Sequence, residues 1–313
     1  MLELGDAPTR YAGSRGTGSF LTHRQLGVLY AAQERWAQAA EQFRTALHEH
    51  PGFLAAAQPL VEVQLACGEE PEAILAGLEE LVGELSPSAL FLVAVPFYER
   101  GHVELAERLL RRSLAARPTA DRTRLALAEA LLSRSEFAAA LDEVLTIDAS
   151  TPVGLLASRS GLFATLAGQQ AAERFAEARA YAVAAALPAC ELALVDAWRR
   201  GERPAPASIP ADAAVLATVM LHALARIEAF DEFERLAVTL DGLELPWRER
   251  RELLAEVFLV RGFLESAADT WIAVIEREGP DRRALTGLAT VAERRELPDD
   301  AAMLRAEAEK LAA

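Results

Sequence analysis

The stretch that decides the fold covers residues 20–53 and reads FLTHRQLGVLYAAQERWAQAAEQFRTALHEHPGF. Leu26 and Tyr30 are four residues apart, so they lie on the same face of a first helix. Gly27 between them has no side chain, which allows a neighbouring helix to come close at that point. On a second helix, Phe43 is a large side chain that can fill the space between layers. The spacing therefore predicts a pair of helices packed as a hairpin.

The other positions of this stretch complete a pattern of small and large residues. After Leu26-Gly27-x-x-Tyr30 come Trp36, Ala39, Phe43, Ala46 and Pro51. Pro51 ends the second helix because proline lacks an amide hydrogen and clashes with the preceding turn. The pattern resembles the tetratricopeptide repeat (TPR) family, whose unit is a helical hairpin of about 34 residues. One position departs from it, since His23 stands where the family has its first aromatic residue.

The spacing of the first stretch returns along the chain. Units begin near residues 20, 54, 87, 121 and 154, at steps of 33 or 34 residues, and two more begin near 248 and 281. A single hairpin cannot cover its own apolar face, whereas stacked hairpins share a continuous core. The sequence thus predicts an all-α fold, an α-solenoid of stacked TPR-like hairpins, and the resemblance implies a right-handed superhelix.

The chain divides into four predicted segments. Residues 1–19 are glycine-rich and form a flexible lead-in, and residues 20–200 form an N-terminal array of about five repeats plus one extra helix. Residues 201–210 contain three prolines and form an irregular linker. Residues 211–313 form a TPR-like array ending in a capping helix. The linker is either a hinge or an enlarged turn, and we favour the turn because both flanking helices have apolar faces to bury.

Three local features of the sequence lead to separate structural expectations. Pro96 lies inside a predicted helix, where we expect a kink or an early break. The final helix, 299–313, places Met303, Leu304 and Leu311 on one side, which we expect to be its buried side. Cys67 and Cys190 are expected to be buried free thiols, as suits a reducing compartment.

The charge of the chain argues against some partners. The net charge is −15, and the acidity is spread along the sequence. Such a surface repels phosphate groups, so we expect no nucleic-acid binding and no attraction to anionic membranes. The sequence has no run of 18 apolar residues and no visible signal peptide, so we expect no membrane insertion and a cytoplasmic location. Nearly all its basic residues are arginine, which fits a GC-rich bacterial genome.

The sequence offers no convergent set of catalytic groups. His48 and His50 are two residues apart on a helix, so their side chains point in different directions and cannot share a metal ion. Gly16-Thr17-Gly18 has no preceding strand and no following Lys-Ser/Thr, so it is not a phosphate-binding loop. We therefore expect no enzymatic activity, no metal and no cofactor.

Binding residues follow from the family resemblance. In TPR proteins the first helix of each repeat lines a concave groove, and ligand contacts come from its positions 2, 5, 9, 12 and 13. Applied to this chain, the rule selects Arg24, Gln58, Glu62, Phe91, Tyr98, Arg122 and Glu129. Arg159 is added because it lies beside Ser158 and Leu162, which the rule selects in the fifth repeat. Phe91 has a second interpretation as ordinary core between repeats. The chain lacks the Lys, Arg and Asn set of members that clasp C-terminal carboxylates.

Three functional hypotheses follow. The first is a non-catalytic adaptor that binds a peptide or partner protein in the groove. The second rests on residues 13–27, which resemble the junction between the catalytic domain and the repeat array of some bacterial family 2 glycosyltransferases. That resemblance implies an accessory or detached module without activity of its own. The third is self-association of the chain through an exposed end of the array.

Overall fold

A computed structural model describes residues 18–201 and 209–311 of the chain. Within those ranges the protein contains eighteen α-helices and no β-strand; one isolated bridge joins Ile209 to Leu243. The predicted all-α solenoid class is therefore confirmed. By their contacts the residues group into two compact units, 1–148 and 149–313.

The first unit consists of four helical hairpins. Its helices are α1 (Phe20–Ala32), α2 (Trp36–Glu49), α3 (Ala57–Ala66), α4 (Pro71–Val82), α5 (Pro87–Glu99), α6 (Val103–Ala116), α7 (Asp121–Ser133) and α8 (Phe137–Leu145), with a short 3₁₀ helix at Leu54–Ala56 before α3. Odd-numbered helices are the first helices of their hairpins and even-numbered helices are the second. The predicted repeat starts at 20, 54, 87 and 121 each coincide with the beginning of a first helix or of its 3₁₀ extension.

The second unit begins irregularly and then returns to the repeat. Its helices are α9 (Pro152–Ala167), α10 (Gln169–Ala172), α11 (Phe175–Ala184), α12 (Ala189–Arg200), α13 (Ala214–Arg226), α14 (Phe230–Thr239), α15 (Trp247–Arg261), α16 (Leu264–Glu278), α17 (Arg282–Arg294) and α18 (Pro298–Lys310), with 3₁₀ helices at Ala211–Ala213 and Leu240–Gly242. Between residues 188 and 247 the described chain forms three α-helices, α12, α13 and α14. Ile209 pairs with the loop after α14, through Glu244 N–H donating to its carbonyl at 2.9 Å.

The turns inside the hairpins share one backbone conformation. A residue with positive φ stands in each turn of the first unit, namely Glu34 (57°), Gly68 (76°), Gly101 (86°) and Ser135 (61°). The following residue donates its N–H to a carbonyl five residues earlier, as Glu69 does to Gln64 at 3.1 Å. This is the Schellman arrangement that ends a helix.

The same turn marks the regular part of the second unit. Positive φ occurs at Glu228 (57°), Gly262 (85°) and Glu296 (60°), each 34 residues after the one before. Gly168 has an extended backbone with φ −114° and lies between α9 and the short α10. The regular repeat is thus interrupted between α9 and α12.

The hairpin core is built on a glycine and an aromatic ring, as the first stretch predicted. Phe43 is fully buried, and an ideal Cβ placed on Gly27 would lie only 2.6 Å from its ring. Trp271 plays the corresponding part in the second unit. It packs with Ala255 of its own hairpin and Ala284 of the next, and a Cβ on Gly287 would lie 2.5 Å from the indole. Large side chains therefore fill the space between helices only where the facing residues are small.

The expected early break at Pro96 is wrong. Helix α5 continues through Pro96 to Glu99, and Pro96 is buried. Only one turn of helix follows this proline, and Arg100 N–H still donates to the Pro96 carbonyl at 3.1 Å. Pro96 therefore removes one backbone hydrogen bond close to the end of the helix, where packing against the surrounding hairpins keeps the last turn helical.

Two expectations about burial also need correction. In α18 the buried residues are Ala301 and Ala308, while Met303 is 63% exposed and Leu311 is 49% exposed. Small residues therefore form the buried side of α18, and Leu304, the third residue predicted to be buried, is half-buried. Cys67 is exposed, because it stands at the C-terminal end of α3 beside the turn.

Some predictions lie outside the described residues. These are the flexible lead-in, the sequence Gly16-Thr17, most of the linker 201–210, and most of the stretch resembling a glycosyltransferase junction. The division of the chain at that linker, and the choice between hinge and enlarged turn, stay predictions.

Candidate functional site

Consecutive first helices of the first unit lie side by side. Tyr98, near the end of α5, and Ser133, at the end of α7, share a hydrogen bond of 2.9 Å between their hydroxyl oxygens. In the repeat register these residues occupy positions 12 and 13 of their hairpins. The bond therefore places the equivalent faces of two first helices next to each other. We call the surface formed by α1, α3, α5 and α7 the first-helix surface.

Glu129 lies one helical turn before Ser133 on α7. Its side chain is exposed, yet burial of the carboxylate by surrounding protein raises its pKa above the ordinary value. Glu129 and Tyr98 thus belong to the same part of the first-helix surface.

Aromatic and aliphatic groups continue this surface on α5. Phe91 and Val95 are one turn apart, and both are half-buried. The neighbouring residues Val93, Ala94 and Phe97 point the other way and are fully buried. Phe91 is therefore only partly accessible, and the choice between a core residue and a binding residue stays a prediction.

The remaining predicted residues of the first unit are polar. Gln58 donates from Nε2 to Glu62 Oε1 at 2.8 Å, so these two side chains on α3 are held together. Arg24 on α1 is half-buried, and its Nε has no hydrogen-bond partner among the described residues. Arg122, at the start of α7, is exposed and forms no ion pair with a described residue.

On the second helices of the same unit, arginine side chains form ion pairs with glutamates of the neighbouring hairpin. Arg108 on α6 contacts Glu72 on α4 at 2.7 Å, and Arg112 contacts Glu79 at 2.9 Å. Each of these exposed ion pairs joins side chains of two adjacent hairpins, although each contributes little to stability. Arg122 on the first-helix surface, by contrast, has no such partner among the described residues.

Arg159 belongs to the second unit and has an internal partner. Its guanidinium donates from Nε and Nη2 to the two carboxylate oxygens of Glu191, both at 2.8 Å. The hydrogen bond to Glu191 raises the pKa of Arg159. The structure thus brings seven of the eight predicted residues to the first unit and places Arg159 in a bidentate ion pair of the second.

Sequence reasoning assigned no candidate residues to α13, α15 and α17. The turns at Glu228, Gly262 and Glu296 put these helices in register and identify them as first helices. Their surface contains an ion-pair group in which Arg283 donates to Glu252 at 2.9 Å and to Glu256 at 2.6 Å. Two of the three turns carry glutamate where glycine would have signalled a turn. A 34-residue step counted back from Gly262 was the signal that could have found them.

Metal and membrane sites were sought in the same described ranges. Residues 18–201 and 209–311 contain no group of three or more His, Cys, Asp and Glu side chains that could hold a metal ion. Across these ranges, every helix is either too short or too polar to cross a lipid bilayer.

The fold and this surface define a helical-repeat protein of the kind that generally acts as a non-catalytic scaffold and binds other proteins. A family model described as tetratricopeptide repeat matches residues 24–89, 97–152 and 253–311, which is more than half of the chain. The chain therefore belongs to the tetratricopeptide repeat family, as residues 20–53 predicted. The unmatched part between 153 and 252 contains the irregular helices.

Solved structures with a similar fold include several repeat proteins. They include the MamA protein (16% identity, 53% of this chain and 89% of that chain covered, TM-score 0.37) and a tetratricopeptide repeat protein from Parabacteroides merdae ATCC 43184 (13%, 94% and 93%, TM-score 0.37). A third is Naa15/Naa10 bound to HypK-THB (12%, 88% and 39%, TM-score 0.39). A search of curated proteins found no match.

Proposed function

We propose that this protein is a non-catalytic scaffold that binds a peptide, or an exposed segment of a partner protein, on the first-helix surface of its first unit. The observation that carries the proposal is the Tyr98–Ser133 hydrogen bond, which aligns α5 and α7 and leaves accessible polar and apolar groups beside it. A surface that continues over several first helices suits an extended ligand better than a small molecule.

The chemistry of the surface indicates what such a peptide would contact. The accessible parts of Phe91 and Tyr98 offer an apolar area, and aromatic side chains are frequent anchors of binding energy in interfaces. Arg122 supplies an unpaired cation at one edge, where an acidic group of the ligand would be favoured. Glu129 supplies a carboxylate whose charged form a basic group of the ligand would stabilise.

Binding should depend on Arg122 and Tyr98 and not on the second helices. The test is crosslinking capture of bound proteins from the host, comparing the natural chain with the double variant Tyr98→Ala, Arg122→Glu. We expect the double variant to lose at least one partner that the natural chain captures. Loss of an aromatic anchor and reversal of a charge typically weaken an interface by about 2 kcal/mol or more.

Two further variants make this result interpretable. Arg117→Glu makes the same charge change at an exposed residue just after α6, which is not among the predicted binding residues, and should retain every partner. Arg122→Glu alone changes an exposed side chain and should leave the helical circular dichroism signal unchanged. If the double variant captures the same partners as Arg117→Glu, the binding surface has been assigned wrongly.

A further inference from the structure

Three glutamates follow one face of α15, a first helix of the second unit. Arg283, in the first turn of α17, donates from Nη1 to Glu252 Oε2 at 2.9 Å and from Nη2 to Glu256 Oε1 at 2.6 Å. The two glutamates are four residues apart and therefore share one face of the helix. Glu249, one turn earlier on that face, is exposed and forms no ion pair with a described residue. We call Glu249, Glu252 and Glu256 the acidic face of α15.

The bases around the acidic face are shared among several carboxylates. The Arg248 guanidinium lies 3.9 Å from Glu252 Oε1. The same guanidinium also forms ion pairs with Glu278, at 3.1 Å, and with Asp281. Among the described residues, Arg248 and Arg283 are thus shared by four carboxylates, those of Glu252, Glu256, Glu278 and Asp281. An excess of negative charge of this kind attracts a cation.

The carboxylate of Glu252 is enclosed by protein. The residue is only 3% exposed, and its Oε1 has no hydrogen-bond partner among the described residues. Burial raises the pKa of Glu252, and the charges of Arg283 and Arg248 oppose that effect only in part. A further positive charge nearby would stabilise the ionised carboxylate, because charges interact more strongly where water is excluded.

The outer two members of the acidic face are open to a ligand. The Glu256 side chain is 48% exposed, and Arg283 donates to its Oε1, which leaves Oε2 for another donor. Glu249 is exposed as well. The two residues are seven positions apart, about 10 Å along the helix axis, with Glu252 between them on the same face. A basic side chain placed between Glu249 and Glu256 would therefore lie close to all three carboxylates.

Exposed valines flank the acidic face. Val260 lies in the last turn of α15 and is 61% exposed. Helix α13 lies beside α15, as the hydrogen bond of 3.3 Å from Arg261 Nε to His222 Nδ1 shows. Val215 on α13 is 73% exposed and occupies the position of its hairpin that Glu249 occupies in the next one. Aliphatic and acidic groups are therefore available together on consecutive first helices.

We propose that the acidic face of α15, with Val215 beside it, binds a segment of a partner protein in which lysine or arginine alternates with aliphatic residues. A basic side chain of the segment lies between Glu249 and Glu256, above Glu252, and an aliphatic neighbour covers Val215. Charge complementarity selects this occupant over an acidic or uncharged segment. The site belongs to the second unit and is separate from the first-helix surface of the first, so it goes beyond the function proposed above.

The test measures binding of a defined probe to the full chain. A short fluorescein-labelled peptide of alternating leucine and lysine is titrated with protein, and its anisotropy is followed. Two matched peptides replace each lysine by glutamine or by glutamate. We expect the lysine peptide to bind at least about tenfold more tightly than either, and added salt to weaken its binding because exposed charges are screened.

Variants locate the bound peptide. Glu249→Lys should weaken binding of the lysine peptide by at least about tenfold, and Glu249→Gln by less, since it removes a charge without reversing it. Glu252→Gln should also weaken the lysine peptide, whereas Val215→Ala should weaken the lysine and glutamine peptides alike. The matched control is Glu234→Lys, which makes the same charge change at an exposed residue of the second helix α14 and should leave affinity unchanged. Circular dichroism checks that each variant is folded.

Several outcomes would overturn the proposal. They are equal affinity for the three peptides, no binding by the natural chain at millimolar protein, or equal losses for Glu249→Lys and Glu234→Lys. If Tyr98→Ala abolishes binding and Glu249→Lys does not, the peptide occupies the first-helix surface of the first unit. That result contradicts this proposal and supports the proposed function, so the two can fail separately.

Discussion

The closest packing of single residues occurs where a glycine faces an aromatic ring. A Cβ on Gly27 would lie 2.6 Å from Phe43, whose ring is completely buried. Gly77 on α4 is also helical, but a Cβ there would have no heavy atom within 4 Å. Alanine substitutions at these two glycines therefore distinguish the effect of crowding in the core from the general preference of helices for alanine.

We predict opposite effects for alanine at these two positions. Gly27→Ala should lower the free energy of unfolding by about 1–3 kcal/mol, because the added methyl group overpacks a filled core. Gly77→Ala should raise it by about 0.5–1 kcal/mol, because alanine is the better helix former. Urea denaturation followed by circular dichroism measures both. A stable Gly27→Ala variant would show that the Phe43 ring can move aside after all.

At the residue scale, the sequence correctly predicted packing contacts where the repeat spacing determines which residues meet. Gly27 and Phe43 were assigned their roles because the repeat pattern requires a small residue opposite a large one. Met303 was assigned wrongly, because hydrophobicity alone does not say which side of α18 faces its partner. Burial of Cys67 was wrong for a related reason, since a helix end beside a turn is solvated whatever its composition.

Among the structural elements, the hairpin turns show the repeat most consistently. Gly101 and Glu34 occupy equivalent turns with φ of 86° and 57°. The left-handed conformation costs a non-glycine residue about 1–2 kcal/mol, whereas glycine adopts it freely. Gly101 also has open space around its Cα, with no heavy atom within 4 Å of an added Cβ, so backbone conformation alone decides the effect of a substitution.

Exchanging residue types at these turns should change stability in opposite directions. Gly101→Ala should lower the free energy of unfolding by about 1 kcal/mol, because alanine is strained at positive φ. Glu34→Gly should raise it by up to about 1 kcal/mol, since the relief of strain exceeds the extra entropy of glycine in the unfolded chain. Midpoints of chemical denaturation compare the two. Equal midpoints for Gly101→Ala and the natural chain would refute the strain argument.

The turns also explain which part of the candidate surface could be predicted. Gly68 and Gly101 are visible in the sequence, so the register of α3 and α5 followed from it. Glu228 and Glu296 are not turn signals, because glutamate is uncommon at positive φ. The repeat step nevertheless placed units near 248 and 281, where α15 and α17 begin, whereas no candidate binding residue was assigned to α13, α15 or α17.

At the scale of the whole molecule, the repeat means that each hairpin packs mainly on its sequence neighbours. Trp271 illustrates this, because its buried indole contacts Ala255 before it and Ala284 after it. A fold of this kind distributes stability along the chain, and local damage should spread only to adjacent hairpins. The sequence could predict this property from the 34-residue step, but it could not place the interruption between α9 and α12, where the spacing is lost.

Removing the Trp271 side chain should therefore destabilise a limited region. We predict that Trp271→Ala costs about 3–5 kcal/mol locally, because it leaves a cavity between two hairpins. Amide hydrogen exchange should become faster in α15–α18 and remain unchanged in α1–α6, which mass spectrometry of proteolytic fragments can measure. Ile272→Ala, at the adjacent position that is 43% exposed, should change exchange little anywhere. Uniformly faster exchange along the entire chain would show that the protein unfolds as one cooperative block and not repeat by repeat.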